Sequence, residues 1–242
     1  MPPRFFIDHP LALGELELPA TAARHVQVLR LQPSQTVTLF DGSGGEWSAE
    51  LTLMDRRSVQ VQVLAHNPRE CENAVAVTLA LAMPANDRMD ALVEKATELG
   101  AVAVQPLVTE RSVLRLAGER GQRRQAHWQA IAIAACEQCR RNRVPVVLPV
   151  QTYTAWLAAL PPAAASDTRL LLGWREASPW TDTLASAGSA LTLLSGPEGG
   201  FTEAEEALAR QHGFAVVSLG PRVLRADTAP LAALATIALR ST

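Results

Sequence analysis

The chain has 242 residues, 48% hydrophobic and 19% charged, with 22 basic and 24 acidic side chains for a net charge of −2. At about 150 residues per domain this is one large domain or a small one plus a medium one, and the composition excludes disorder, collagen and coiled coil. Three cysteines speak for a reducing compartment rather than a disulfide framework, and no run reaches the ~18 apolar residues of a membrane span.

The first residues, Met1-Pro2-Pro3-Arg4-Phe5-Phe6-Ile7-Asp8-His9, carry no apolar core of signal-peptide length, so a soluble, cytoplasmic protein is expected. Residues 1–70 read as a β-rich, barrel-like module. A short helix is predicted over 20–31, after Pro19. Thr36–Phe40 reads as a strand, and Asp41-Gly42-Ser43-Gly44-Gly45 as a turn, because glycine accepts positive φ at little cost. Glu46–Met54 returns as a strand. Val59, Val61 and Val63 alternate with Gln60 and Gln62, a period of two with one buried face. The polar stretch 66–70 sets the expected boundary between domains 1–70 and 71–242.

Beyond it, residues 75–81 form a continuous apolar run, the mark of a strand buried on both faces. Residues 87–99 read as a helix stopped by Gly100. A strand over 102–107, a helix over 123–141, and a strand over 145–150 follow. Then come a helix over 153–160 and strands over 169–173 and Ala190–Ser195. A helix from Thr202, a strand over 215–219 and a last helix from Thr228 close the chain. Thr202 and Glu205 have capping-box spacing. Strands alternating with helices predict an α/β domain with a mainly parallel sheet, whose ligands bind beyond the carboxyl ends of the strands.

Charge is unevenly spread. Residues 111–143 carry eight arginines against Glu119 and Glu137, a net +6, as a phosphate-contacting segment would. The late strands end in two unusual loops. Leu193-Leu194-Ser195-Gly196-Pro197-Glu198-Gly199-Gly200-Phe201-Thr202 is strand, glycine-rich turn, helix. Its glycines let backbone N–H groups approach a ligand, and Glu198 stands at the active end of the strand. The dinucleotide G-x-G-x-x-G and the P-loop lysine are both absent. The next strand ends in Leu219-Gly220-Pro221-Arg222-Val223-Leu224-Arg225-Ala226-Asp227-Thr228-Ala229. Two successive strand ends of this kind point to one composite site.

These two loops resemble those of the 16S ribosomal RNA uridine-N3 methyltransferases, a family of the SPOUT superfamily of knotted methyltransferases. Residues 24–30 and Phe40-Asp41-Gly42 are similar to the family's N-terminal module. Residues 94–100 and 109–112 are similar to its central block, and residues 128–145 to its basic helix. One position departs: the family has Glu in its Leu-Arg-x-Glu-Thr-Ala motif, and this chain has Asp227.

The resemblance implies a deep trefoil knot, S-adenosylmethionine bound in a bent shape by the knot loops, and a homodimer. It also implies a PUA-like RNA-binding module and a decoding-region uridine of the small ribosomal subunit as target. Methylating uridine N3 needs a proton acceptor, a cation or N–H donors for charge developing on O2 and O4, and alignment of methyl and nitrogen. Glu198 is the first candidate for proton acceptor or cofactor orienter, and Arg141 and Arg225 for the oxyanion or a flanking phosphate. Backbone at Leu194, Gly196, Gly199, Gly200, Leu219, Gly220, Val223, Leu224 and Arg225 is expected to bind the cofactor, with Leu172 and Gly173. Arg24, His25, Arg30, Arg111, Arg123 and Arg124 are expected on RNA. A ribose 2′-O methyltransferase of the same superfamily and a non-catalytic RNA-binding protein are the alternatives.

No metal site is expected. Cys136 and Cys139 have no second pair to complete a zinc set. They fall near a helix end rather than its start, where a redox thiolate would be favoured, so they read as packing residues. The five tryptophans also read as packing.

Overall fold

A computed structural model of the chain describes residues 2–55, 58–84, 88–164, 166–185 and 188–240. The chain forms two compact units, Met1–Glu72 with Ile133–Val144, and Asn73–Ala132 with Pro145–Thr242. No single linear cut separates them, because residues 133–144 belong with the N-terminal unit.

The first unit contains β1 (Arg4–Phe6), β2 (Gly14–Glu17), α1 (Ala20–Val28), β3 (Thr36–Phe40), β4 (Glu46–Met54) and β5 (Val59–Asn67). Their sheet has the order β1-β3-β4-β5-β2. The β1–β3 pair is parallel and the other pairs are antiparallel. The valine alternation of β5 does what its period dictates. Val59, Val61 and Val63 are buried while Gln60 and Gln62 are only half-buried. Phe5, Ile7, Leu18, Val26, Val37, Leu39 and Leu51 complete that core. Helix α1 ends three residues before the expected limit of 31, because Arg30 takes a left-handed φ of 53°.

Polar groups tie residues 133–144 into this unit. Arg141 meets the Glu72 carboxylate twice, through Nε at 3.0 Å and Nη2 at 2.5 Å. Arg4 pairs with Glu46 and donates to the Asn142 side chain at 2.8 Å. The Phe6 N–H donates to Glu137 Oε1 at 3.0 Å. Burial raises the Glu137 carboxyl above its ordinary range, opposed by the Phe6 N–H and the neighbouring His25 and Arg4.

The second unit contains β6 (Ala76–Ala82), α2 (Arg88–Glu98), β7 (Ala101–Val108) and α3 (Gly118–Cys139), whose last turns fall in the first unit. It continues through β8 (Val146–Val147), β9 (Gln151–Thr152), α4 (Tyr153–Ala159), β10 (Asp167–Leu172), β11 (Ser178–Pro179) and α5 (Trp180–Ala185). The last elements are β12 (Ala190–Ser195), α6 (Glu203–Gln211), β13 (Ala215–Ser218) and α7 (Thr228–Ala238). The sheet order is β11-β13-β10-β12-β6-β7-β8, with β9 also pairing β7. Every pairing in it is parallel. Strands β12 and β6 lie near its centre, and their leucines and valine are buried, as their mainly apolar runs require.

Several boundaries differ from expectation. Asp87, the expected first residue of α2, lies outside the described residues. Gly100, at φ 88°, ends that helix as its position after Leu99 predicts. Helix α3 starts at Gly118 rather than 123. The strand expected over 145–150 shrinks to Val146–Val147. Thr202 and Glu205 form the capping box in full.

Candidate functional site

In a parallel sheet the ligand side is the carboxyl edge. Three neighbouring strands, β10, β12 and β6, deliver their ends to one place there. Leu172, Gly173 and Trp174 come from the end of β10, residues 195–201 from the end of β12, and Arg88 from the start of α2 after β6. Residues 223–226, between β13 and α7, and Ala229, in the first turn of α7, close the fourth side. Together they line a cavity of about 460 Å³. Small-molecule sites commonly measure about 300–1,000 Å³.

The glycines are needed where they stand. A Cβ on Gly196 would sit 3.1 Å from two Phe201 ring carbons. One on Gly173 would sit 2.9 Å from Val216 Cγ1. Gly200 has φ 67°, the left-handed region that favours glycine, with nothing within 4 Å of an added Cβ. Gly196 and Gly173 thus stand where no side chain fits, and Gly200 leaves the backbone open.

Charge in the cavity comes in both signs. Glu198 faces Arg88 at 3.4 Å, each side chain about one-third exposed. Arg225 and Glu206 also line it. Outside the lining, Arg111 in the turn after β7 donates to the carbonyls of Gly199 at 2.8 Å and Phe201 at 3.4 Å.

Of the expected cofactor residues, Leu172, Gly173, Gly196, Gly199, Gly200, Val223, Leu224 and Arg225 line this cavity. Leu219 lines a smaller adjoining one of about 90 Å³ that shares Leu172, Gly173, Trp174 and Leu224. Gly220 lines a further depression beside α5 and α7, which shares Leu219, Arg222 and Leu224 with the smaller cavity. Leu194 lies instead in the core, fully buried on β12, where the sheet pairs it with Leu171 on one side and Ala80 on the other. It is paired within the sheet and does not line the cavity.

Among the expected catalytic residues, Glu198 and Arg225 line the cavity and Arg141 does not. Arg141 is buried in the first unit and engaged by Glu72. That engagement corrects the expectation of an arginine held ready for an oxyanion. The expected RNA residues divide. Arg24 and Arg30 are exposed, and His25 contacts Glu137 at 3.3 Å. Arg123 pairs with Glu119 at 3.0 Å with both side chains largely in solvent, and Arg124 is half-buried.

Three lining residues escape the motif reading. Arg88 was findable, since it follows the carboxyl end of a central strand. Trp174 is 70% exposed, whereas Trp128, Trp156 and Trp180 are buried. Glu206 carries no signal beyond its place in the first turn of α6. Cys136 is buried with its thiol pushed up by contact with Cys139 and by burial, which suits packing. Among the described residues, no group of three or more His, Cys, Asp or Glu side chains is disposed to hold a metal ion. No helix there is long and apolar enough to cross a membrane.

An RNA methyltransferase domain family matches residues 71–238, and an RNA methyltransferase PUA domain family matches residues 18–64. The ribosomal RNA small subunit methyltransferase E of Synechocystis sp. is 37% identical over 87% of this chain and 68% of its own length. The chain belongs to the ribosomal RNA small subunit methyltransferase E family. The member from Bacillus subtilis is 32% identical, over 89% of this chain and 86% of its own. Among solved structures, the family member from Neisseria gonorrhoeae bound to S-adenosyl methionine superposes with a TM-score of 0.91. It is 39% identical, covering 98% of this chain and 97% of that one. A Legionella pneumophila methyltransferase in complex with the same cofactor also gives 0.91 at 31% identity, covering 99% and 98%. The fold is thus the α/β SPOUT methyltransferase domain preceded by a PUA-like domain.

Proposed function

We propose that this chain transfers a methyl group from S-adenosylmethionine to N3 of a uridine in 16S ribosomal RNA. The observation that carries the reading is the convergence of four segments, those after β6, β10, β12 and β13, on one cavity holding Glu198 and Arg88, with the glycine-rich loop after β12 among them. Family membership supports the ribosomal substrate, and the cofactor-bound relatives support the methyl donor.

The residues present fit the cofactor: bare glycine backbone, a cavity of suitable volume, and the apolar side chains of Leu172, Phe201 and Leu224 beside it. Leu172, Gly173, Gly196, Gly199, Gly200, Val223 and Leu224 would hold it, with Leu219 at the adjoining pocket. When bound, S-adenosylmethionine supplies an electrophilic sulfonium methyl group. The protein's part is to remove the N3 proton and to stabilise the charge left on the uracil oxygens. Glu198 is positioned as the acceptor. Arg88 and Arg225, which both line the cavity, are the cations for the oxygens. Uridine N3 is hidden in a base pair, so the target must be single-stranded or flipped out.

In the same reading, Arg24, His25, Arg30, Arg123 and Arg124 meet RNA backbone, the substrate is the decoding region of the small subunit, and the enzyme is a cytoplasmic homodimer whose C-terminal chain is knotted. The test is methyl transfer from labelled S-adenosylmethionine to small subunits lacking the modification, followed by nucleoside mass spectrometry. The expected product is 3-methyluridine on 16S RNA. A 2′-O-methyl nucleoside would replace the base by the ribose as target. RNA binding with no saturable cofactor binding would make the protein a non-catalytic RNA binder.

A further inference from the structure

Arg111 lies in the turn after β7 and reaches a loop 88 residues further along the chain. Its two acceptors are the carbonyls of Gly199 and Phe201. A peptide unit is planar, so a carbonyl and the following N–H turn together. The N–H that shares a plane with the Gly199 carbonyl belongs to Gly200, and it donates to the Pro197 carbonyl at 2.8 Å. The N–H that shares a plane with the Phe201 carbonyl belongs to Thr202, and it donates to Glu205 Oε2 at 2.9 Å. Two peptide planes of the glycine loop are therefore pinned at both ends, and Arg111 is the outer pin of each.

The turn that carries Arg111 is itself fixed. The Glu110 N–H donates to the other oxygen of the same Glu205 carboxylate at 2.9 Å. The Thr109 N–H donates to Ser112 Oγ at 3.0 Å, and the Ser112 N–H returns to the Thr109 carbonyl at 3.2 Å. Thr109, Ser112 and Glu205 are all buried. One rigid turn thus grips the glycine loop at Arg111 and the cap of α6 at Glu110.

We propose that Arg111 is a positioning residue for the methyl-donor site, setting the glycine-loop peptides in the conformation that receives the cofactor, and is not a phosphate contact for RNA. The proposal rests on the reading of the cavity given above. A loop with three glycines in five residues is entropically loose, and ordering it at the moment of binding would reduce affinity. Arg111 removes that cost beforehand. The aliphatic part of Arg111 packs against Gly199, where an added Cβ would meet its Cβ and Cδ at 3.4 Å, so stem and head both hold the loop.

The test compares the full-length wild type with Arg111→Gln and Arg111→Lys. Cofactor affinity is measured by calorimetric titration of S-adenosylmethionine without RNA, and RNA affinity over a salt series. Removing two charge-assisted hydrogen bonds should weaken cofactor binding by about tenfold or more. The lysine variant, able to reach one carbonyl, should fall between. The KM for cofactor should rise while RNA affinity, its salt slope and the melting temperature stay at wild-type values. Unchanged cofactor affinity in Arg111→Gln overturns the proposal. So does weaker RNA binding with a salt slope smaller by about one, which would make Arg111 a phosphate contact. If the glutamine variant does not fold, the lysine variant and Glu205→Gln, which weakens the same clasp from the other side, decide on the same readout. A wild-type chain that binds no cofactor overturns the cavity reading itself, a different result from equal binding by wild type and variant.

Discussion

Glu72→Gln removes a charge while keeping the shape of the side chain that faces Arg141. The Arg141 side chain is 3% exposed and that of Glu72 18%, so both give up most of their hydration in the folded protein. Breaking a buried pair from one side costs about 3–5 kcal/mol, because the remaining charge stays buried without its counter-charge. Glu72 keeps some contact with water, which puts the expected loss near the lower limit, about 3 kcal/mol. At about 2–4 °C per kcal/mol for a chain of this size, the melting midpoint should fall by about 6–12 °C. Arg141→Met should fall as well, and the double variant Glu72→Leu with Arg141→Met should lose less than the two single losses added together. The assay is thermal unfolding by circular dichroism, alongside methyl transfer at a temperature well below every midpoint. Turnover should remain within about twofold of wild type, because Arg141 is engaged by Glu72 and does not line the cavity. Arg141→Met with an unchanged midpoint and a turnover about 10² lower would refute this reasoning and return Arg141 to the chemistry.

Gly196→Ala forces a Cβ against the Phe201 ring and should weaken S-adenosylmethionine binding by more than about tenfold. Gly200→Ala meets no atom and bears only the left-handed strain of about 1–2 kcal/mol, so its effect on affinity should be smaller in parallel titrations. Glu198→Gln should lower kcat by about 10²–10⁴ with little change in cofactor affinity, whereas full turnover would remove Glu198 from the mechanism. Burial works to raise the Asp41 carboxyl, but hydrogen bonds from the Ser43 hydroxyl, the Ser43 N–H and the Leu11 N–H outweigh it and hold the group below its ordinary value. A depressed carboxyl contributes stability above its unfolded pKa and loses it as pH falls through the folded one. The stability gap between wild type and Asp41→Asn should therefore be full at neutral pH and close below about pH 3.8 in denaturant melts at stepped pH.

Local pattern carried far where one rule acted alone. Thr36–Phe40 and Glu46–Met54 match their strands because a glycine-rich turn joins them, and Ala190–Ser195 matches its strand as a short, mainly apolar run. The capping box at Thr202 needed only two residues three apart. The site was legible where motif and strand end coincided, as at Gly196–Gly200 and Val223–Arg225. It was not legible where partners are distant. Nothing near Arg141 in the sequence announces Glu72, 69 residues away, so a basic segment concealed a buried structural cation. Leu194 sits one residue before a functional loop yet belongs to the sheet, since a central strand uses its backbone on both sides. Arg111 looked like one more positive charge until its acceptors were known to be carbonyls. The short strands β1, β2 and β11 have too few residues to show a period at all.

The membership of residues 133–144 in the N-terminal unit has a consequence for how that unit is made. Arg4 and its partner Asn142 lie 138 residues apart in the chain. The Phe6 N–H waits 131 residues for Glu137. Contacts so far apart in sequence are slow to close, and during synthesis they cannot close until residues 133–144 have followed. The first unit is therefore unfinished until long after its own strands have been made. A fragment ending at residue 72 would carry the sheet and helix α1 but would leave Glu72 without Arg141 and Arg4 without its bond to Asn142, so it should be markedly less stable than the same unit within the whole chain.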